Sequence, residues 1–160
     1  CRDIRHCDAR WHGACPAFRR EVVMKLAYVS GKFAVSPQLA PRDMRGLADA
    51  GFKVLICNRQ DGEEPNQPAV ALMREAAEEA GLAFHHIPVS GGEFPPVAIE
   101  AFAKVREETD GKVLAFCRTG TRSITLNALA NVENESAAER IERAERAGYD
   151  LSGLRDRLGE

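Results

Sequence analysis

From residue 33 to the C-terminus, apolar positions follow two alternating rhythms. Short, largely apolar runs fall at 33–35, 52–57, 84–89 and 113–116, and predict strands. Between them apolar residues stand three or four apart. Val70, Met73, Ala77 and Ala80 share one face of a helix over 68–80 that stops at Gly81, and Val97, Ile99, Phe102 and Val105 mark another that breaks at Thr109-Asp110-Gly111. Pro41 suits the first turn of a helix ending near Gly51. After the last strand a helix is expected from Ser123. Ser136 with Glu139 then forms a capping box, Ile141, Ala144 and Ala147 continue an apolar stripe to Gly148, and Leu151, Leu154 and Leu158 mark one more short helix.

Strand, helix, strand, helix, strand, helix is the order of an α/β domain with a mainly parallel central sheet flanked by helices, reached by right-handed crossovers. The loops leaving the C-terminal ends of such strands gather on one edge, where ligands bind. The loops at 58–68, 89–96 and 117–122 are therefore expected to face a common pocket. The first is long and polar, more than a connection needs. His85 and His86 fall on opposite faces of their strand, so one should pack and one face solvent.

At 160 residues, 44% hydrophobic and 29% charged, the chain has the material for one globular core, and a net charge of −2 gives no reason to expect nucleic acid or an anionic membrane as partner. No apolar run approaches a membrane span and no signal-peptide pattern opens the chain, so the expected compartment is the cytoplasm. Residues 1–23 differ from the rest: over 1–20, Arg2, Arg5, Arg10, Arg19 and Arg20 outweigh Asp3 and Asp8, whereas Met24 is followed at once by ordinary domain sequence. The expected division is an extension or linker over 1–23, poorly ordered and part of a larger polypeptide, and a catalytic domain over 24–160. Cys1, Cys7 and Cys15 with His6 and His12 lack the close paired spacing of a structural zinc site, and no metal is expected. The five cysteines, an odd number without a secretion signal, are expected to be reduced, with Cys57 in the core.

The chemistry concentrates at residues 117–123, Cys-Arg-Thr-Gly-Thr-Arg-Ser, directly after the strand at 113–116. A glycine-containing loop between strand and helix can turn successive backbone N–H groups toward one anion, and the helix adds its positive end. A free thiol titrates near ~8.5, and beside arginine at a helix N-terminus commonly falls to roughly 3.5–7.5, which makes Cys117 the expected nucleophile. Arg122, a planar fork of donors, is suited to clamp two oxygens of a bound oxyanion. The backbone at Arg118, Thr119, Gly120 and Thr121 would line the substrate, with Gly120 permitting close approach. Ser123 would hydrogen-bond the sulfur and help the thiolate leave in a second step. The catalytic group is the thiol itself, and no cofactor is implied.

The words 33–38 (Phe-Ala-Val-Ser-Pro-Gln), 58–65 (Asn-Arg-Gln-Asp-Gly-Glu-Glu-Pro), 86–89 (His-Ile-Pro-Val) with Gly91-Gly92, and 116–123 (Phe-Cys-Arg-Thr-Gly-Thr-Arg-Ser) occur in order. Together they resemble the phosphatase-like domain of the beta-lactamase hydrolase-like proteins, and the resemblance spans about Phe33 to Leu158. It implies a fold like that of tyrosine and dual-specificity phosphatases (cysteine phosphatase I). The loop departs from those phosphatases: four residues separate Cys117 from Arg122 where they have five, and Phe116 stands where they usually have histidine. Four is the spacing of rhodanese-like sulfurtransferases, although the helical tail after Ser136 is unlike a rhodanese domain.

Two enzymatic readings follow. In the first, Cys117 attacks a phosphomonoester through a cysteinyl-phosphate. The resemblance then calls for an aspartate acid on the 90–96 loop, where none is present; Glu93 is the nearest substitute, and Asp61 would have to reach in from the neighbouring loop. In the second, Cys117 carries a persulfide drawn from a sulfane sulfur donor. A third reading, an oxyanion-binding module without turnover, uses the loop but not the thiolate.

Overall fold

The structure, a computed structural model, describes residues 25–90 and 92–159; the expectations for 1–23, linker and cysteine–histidine cluster alike, lie outside the described residues. Five strands form one sheet: β1 (Ala27–Ser30), β2 (Phe33–Ser36), β3 (Phe52–Cys57), β4 (Ala83–His86) and β5 (Lys112–Phe116), in the order β1-β2-β5-β3-β4. β2, β5, β3 and β4 are mutually parallel, and β1 is antiparallel to β2. β5 is therefore central, flanked by β2 and β3 in a register that pairs Ser36 and Cys57 with Phe116.

The central strands read as continuous apolar runs because both faces are covered. On one face Phe33, Val35, Val54, Ile56, Val113 and Ala115 pack with Phe102, Ile124, Leu126 and Ile141, from α3 (Pro96–Glu108), α4 (Thr121–Ala130) and α5 (Ala137–Arg146). On the other, Ala34, Leu55, Cys57, Leu114 and Phe116 meet Met44 and Leu47 of α1 (Met44–Asp49) and Met73 and Ala77 of α2 (Val70–Glu79). Odd and even positions of β5 thus feed separate apolar layers, as the period of two requires.

The strand β1 was not expected. Its four residues Ala-Tyr-Val-Ser are partly or wholly exposed and lie at the sheet edge, so they lack the apolar signature of the inner strands. Two further differences are local: β4 ends at His86 rather than running to Val89, and a 3-10 turn at Pro41–Asp43 precedes α1.

Two helix ends bear on the site. The Asp61 carboxylate accepts the Val70 N–H (3.3 Å) and caps α2 from nine residues upstream. α5 opens on the expected capping box, with Ser136 and Glu139 exchanging backbone-to-side-chain hydrogen bonds. It closes on a Schellman motif: Gly148, at φ +94°, donates to Glu145 O (3.0 Å) and Tyr149 N–H to Ala144 O (2.8 Å). The rest of the tail is a 3-10 helix at Ser152–Leu158. No helix among the described residues is long and apolar enough to cross a membrane.

Candidate active site

The loop leaves the centre of the sheet. β5 ends at Phe116, Cys117 N–H donates to Ser36 O (3.4 Å), Arg118 O accepts Gln38 N–H (3.2 Å), and α4 begins at Thr121. Gly120 takes φ +93°, a left-handed conformation that strains a residue with a Cβ. Cys117 is 1% exposed, and its sulfur accepts the Gly120 N–H at 3.0 Å. The N–H groups of the first turn of α4 have no partner within the helix and point toward the loop end.

Arg122 is held from three sides. Nη1 donates to Glu63 Oε1 (2.6 Å) and Val89 O (3.0 Å) and lies 3.5 Å from Asn58 O, while Nη2 donates to Glu63 Oε2 (2.9 Å). The three loops expected to share one edge therefore meet at one guanidinium. Glu63 also accepts from Arg59 Nε (2.9 Å) and Gln60 N–H (3.0 Å). Buried Arg59 donates to Gln38 and pairs with Glu64, which in turn pairs with exposed Arg118. His86 packs half-buried, its Nε2 2.7 Å from Arg59 O, and His85 faces solvent.

The charges decide protonation. Glu63 is pulled down to about 2, first by the Arg122 hydrogen bonds, which outweigh the opposing effect of burial, and then by the Gln60 N–H and Arg59. It is ionised at any working pH and cannot serve as a general acid. Arg122 is pushed up, chiefly by its hydrogen bonds to Glu63, with burial opposing and the nearby Cys117 sulfur adding to the rise. Burial pushes the Cys57 thiol up to about 11, so this second cysteine of the core stays protonated at neutral pH.

A carboxyl held below its unfolded value stabilises the fold above that value and ceases to do so as pH falls through the folded one. For Glu63 that window runs from about 4.5 down to about 2. Glu63→Gln should flatten this limb of the acid-unfolding curve followed by circular dichroism; coincident curves would show that the carboxylate adds nothing to stability.

Several expected residues fall elsewhere. Ser123 is fully buried, and its hydroxyl donates to Asn58 Oδ1 (2.8 Å) rather than to the sulfur. Asn58, also fully buried, donates to Ile87 O (2.9 Å) and so ties β3, the end of β4 and α4 together. Asp61 is engaged at the α2 N-terminus. Glu93 lies exposed on the 90–96 loop, and among the described residues no hydrogen bond joins either carboxylate to Cys117 or Arg122. Thr119 and Thr121 are exposed and paired through their hydroxyls at 3.1 Å.

Glu63, Arg59 and Asn58 were not singled out from the sequence, although the polar loop holding them was; their signal was an unusual density of charge beside a strand end. Tyr149, whose hydroxyl donates to Thr119 O (2.9 Å), carried no signal beyond following the glycine that stops α5.

The sequence matches the beta-lactamase hydrolase-like protein phosphatase-like domain over residues 25–134. A beta-lactamase hydrolase-like protein of Xylella fastidiosa is 35% identical over 130 residues, covering 80% of this chain and 30% of the relative, so the chain spans under a third of that protein's length. Among solved structures, a candidate phosphatase from Neisseria meningitidis is 36% identical at TM-score 0.75, over 85% of this chain and 97% of the other. A kinase associated phosphatase with its catalytic site cysteine changed to serine shares the fold at TM-score 0.66 and 16% identity, over 86% and 92% of the two chains. The scaffold is that of the tyrosine and dual-specificity phosphatases. Fold and sequence agree, and the chain belongs to the phosphatase-like domain family of the beta-lactamase hydrolase-like proteins.

Proposed function

We propose that this domain is a cysteine-dependent, phosphatase-like hydrolase whose substrates have leaving groups that depart without protonation, such as aryl phosphates and phosphoanhydrides. Cys117 attacks phosphorus, the leaving oxygen departs with its electron pair, and water then hydrolyses the cysteinyl-phosphate, releasing inorganic phosphate and regenerating the thiolate. Arg122 and the backbone N–H groups of the loop, from Arg118 to Thr121, neutralise the phosphoryl oxygens. Ser123 acts at one remove, by fixing Asn58.

One observation carries the reading: the Cys117 sulfur sits at the C-terminal end of the central strand, receives the Gly120 N–H at 3.0 Å, and lies against an arginine whose outer edge is already fixed by Glu63. The restriction on leaving group follows from the carboxylates. Glu63 stays ionised, Asp61 caps a helix, and Glu93 has no hydrogen bond that directs it to the sulfur. If either acts as the acid, loop 58–68 or 90–96 must first rearrange.

The second reading, sulfur transfer through a Cys117 persulfide, is favoured by the four-residue loop and needs no acid. The donors would then be thiosulfate or a persulfide, both anions that the same cradle accepts.

The deciding experiment offers the protein p-nitrophenyl phosphate and a phosphoanhydride in one set of assays, and thiosulfate or glutathione persulfide with a thiol acceptor in another, each beside Cys117→Ser. Phosphate release that depends on Cys117 supports hydrolysis, and Cys117-dependent sulfur transfer without phosphate release replaces it with the second reading. Activity in neither assay leaves an oxyanion-binding module.

A further inference from the structure

The peptide unit between Thr119 and Gly120 is pinned at both ends. Its N–H points at the Cys117 sulfur (3.0 Å), and its carbonyl accepts the Tyr149 hydroxyl (2.9 Å). These two bonds share one rigid plane, so the direction of the carbonyl fixes the direction of the N–H. Turned over, the same unit would present oxygen rather than hydrogen to the sulfur, and repel an anion instead of holding it. At Gly120 such a rotation meets little steric resistance, because glycine occupies φ of either sign.

We propose that Tyr149 is a positioning residue for the nucleophile: its hydroxyl locks the Thr119–Gly120 peptide with the N–H toward Cys117, and so keeps the loop in its anion-accepting form. The inference rests on Cys117 being the nucleophile, as argued above.

Three observations make the hydroxyl, rather than the bulk of the ring, the operative group. The ring is only partly buried, and behind the loop lies an open cavity of about 540 Å3 bordered by Lys25, Arg118, Thr119 and Tyr149, so packing alone does not fix the peptide. A Cβ on Gly120 would lie 2.1 Å from the Tyr149 hydroxyl oxygen and 2.9 Å from its Cζ, which places the phenol end of the ring, oxygen foremost, against the bare α-carbon of the loop. Burial and the nearby sulfur push the Tyr149 phenol up, so it remains a donor throughout the neutral range. The placement has a local cause. The Schellman motif at Gly148 reverses the chain after α5 and delivers Tyr149 to the loop.

The groups that bear on the sulfur come from three elements: Arg122 from α4, Cys57 from the end of β3, and Tyr149 from the segment after α5. Tyr149→Phe removes only the phenol hydroxyl with its bond to Thr119 O, keeps the ring, and leaves Arg122 and Cys57 in place.

The test measures iodoacetamide alkylation of Cys117 against pH in the full chain, resolved from the other cysteines by peptide mass spectrometry, together with thermal melting and turnover. In Tyr149→Phe the alkylation profile should move to higher pH, and the rate at pH 6 should fall roughly threefold to tenfold, the usual worth of one oriented hydrogen bond. The melting temperature should stay close to that of the wild type, and kcat should fall more than KM rises. An alkylation profile superimposable on the wild type overturns the proposal, as does one that changes only in proportion to a lost melting temperature. The outcome is independent of the substrate: if the wild type turns over neither phosphate esters nor sulfur donors, the proposed function fails, while the comparison of alkylation profiles still decides the role of Tyr149.

Discussion

Cys117→Ser should leave the fold intact and abolish turnover, by about 10⁴-fold or more, in whichever assay the wild type is active. The hydroxyl can accept the same Gly120 N–H, so the loop keeps its shape. What disappears is the nucleophile: among the described residues no carboxylate or histidine is hydrogen-bonded to residue 117 to take a serine proton, and the sulfur accepts a backbone N–H. Sulfur transfer has a second reason to fail, because oxygen cannot carry the persulfide. Binding of inorganic phosphate, followed by calorimetry, should survive the substitution. A variant that retained activity would exclude both enzymatic readings.

Arg122→Lys should cost the next most, about 10²- to 10³-fold in kcat/KM, the range for removing one preorganised donor from an oxyanion site. The charge is retained but the fork is lost. Both Nη atoms of Arg122 are held by Glu63, and Nη1 also bonds Val89 O, while the sulfur lies near enough to raise its basicity, a division of donors that a single ammonium cannot reproduce. The substitution also leaves Glu63 shared between Arg59 and Gln60 alone. Kinetics at saturating and limiting substrate, with thermal melting alongside, separates the two effects: a loss confined to the melting temperature would assign Arg122 to structure. Expected losses thus rank from Cys117 through Arg122 to Tyr149, from the reacting atom outward.

The sequence was most legible where local and global signals coincide. Largely apolar runs at 52–57 and 113–116 meant strands, the Ser136–Glu139 pair and Gly148 bounded α5, and the strand-to-helix passage at 117–123 located the loop. The family resemblance drawn from the four separated words is that of the matched domain. What could not be read depended on contacts far apart in sequence. β1 is a half-exposed edge that becomes a strand only because β2 is there to pair with it. The Glu63–Arg122 pair joins positions 59 residues apart, and the Tyr149–Thr119 bond joins positions 30 apart. Ser123 looked like a partner for the sulfur because it is near in sequence. Helix geometry turns it inward instead, toward Asn58.

Placing the cysteine at the tip of the innermost strand has a consequence for how the molecule would come apart. Asn58 and Ser123, both sealed from solvent, join the strand ends beneath the loop to the helix that follows it, so those amides should exchange with deuterium only when the whole sheet opens. Beyond buried Asn58 and Arg59, loop 58–68 is largely exposed over 60–66, and its charged side chains reach the rest of the domain only through surface ties such as those to Arg122 and Arg118, so this stretch can fray before the sheet opens. In gentle urea the nucleophile should therefore outlast the apparatus that orients its arginine, and catalysis should decline before cooperative unfolding begins.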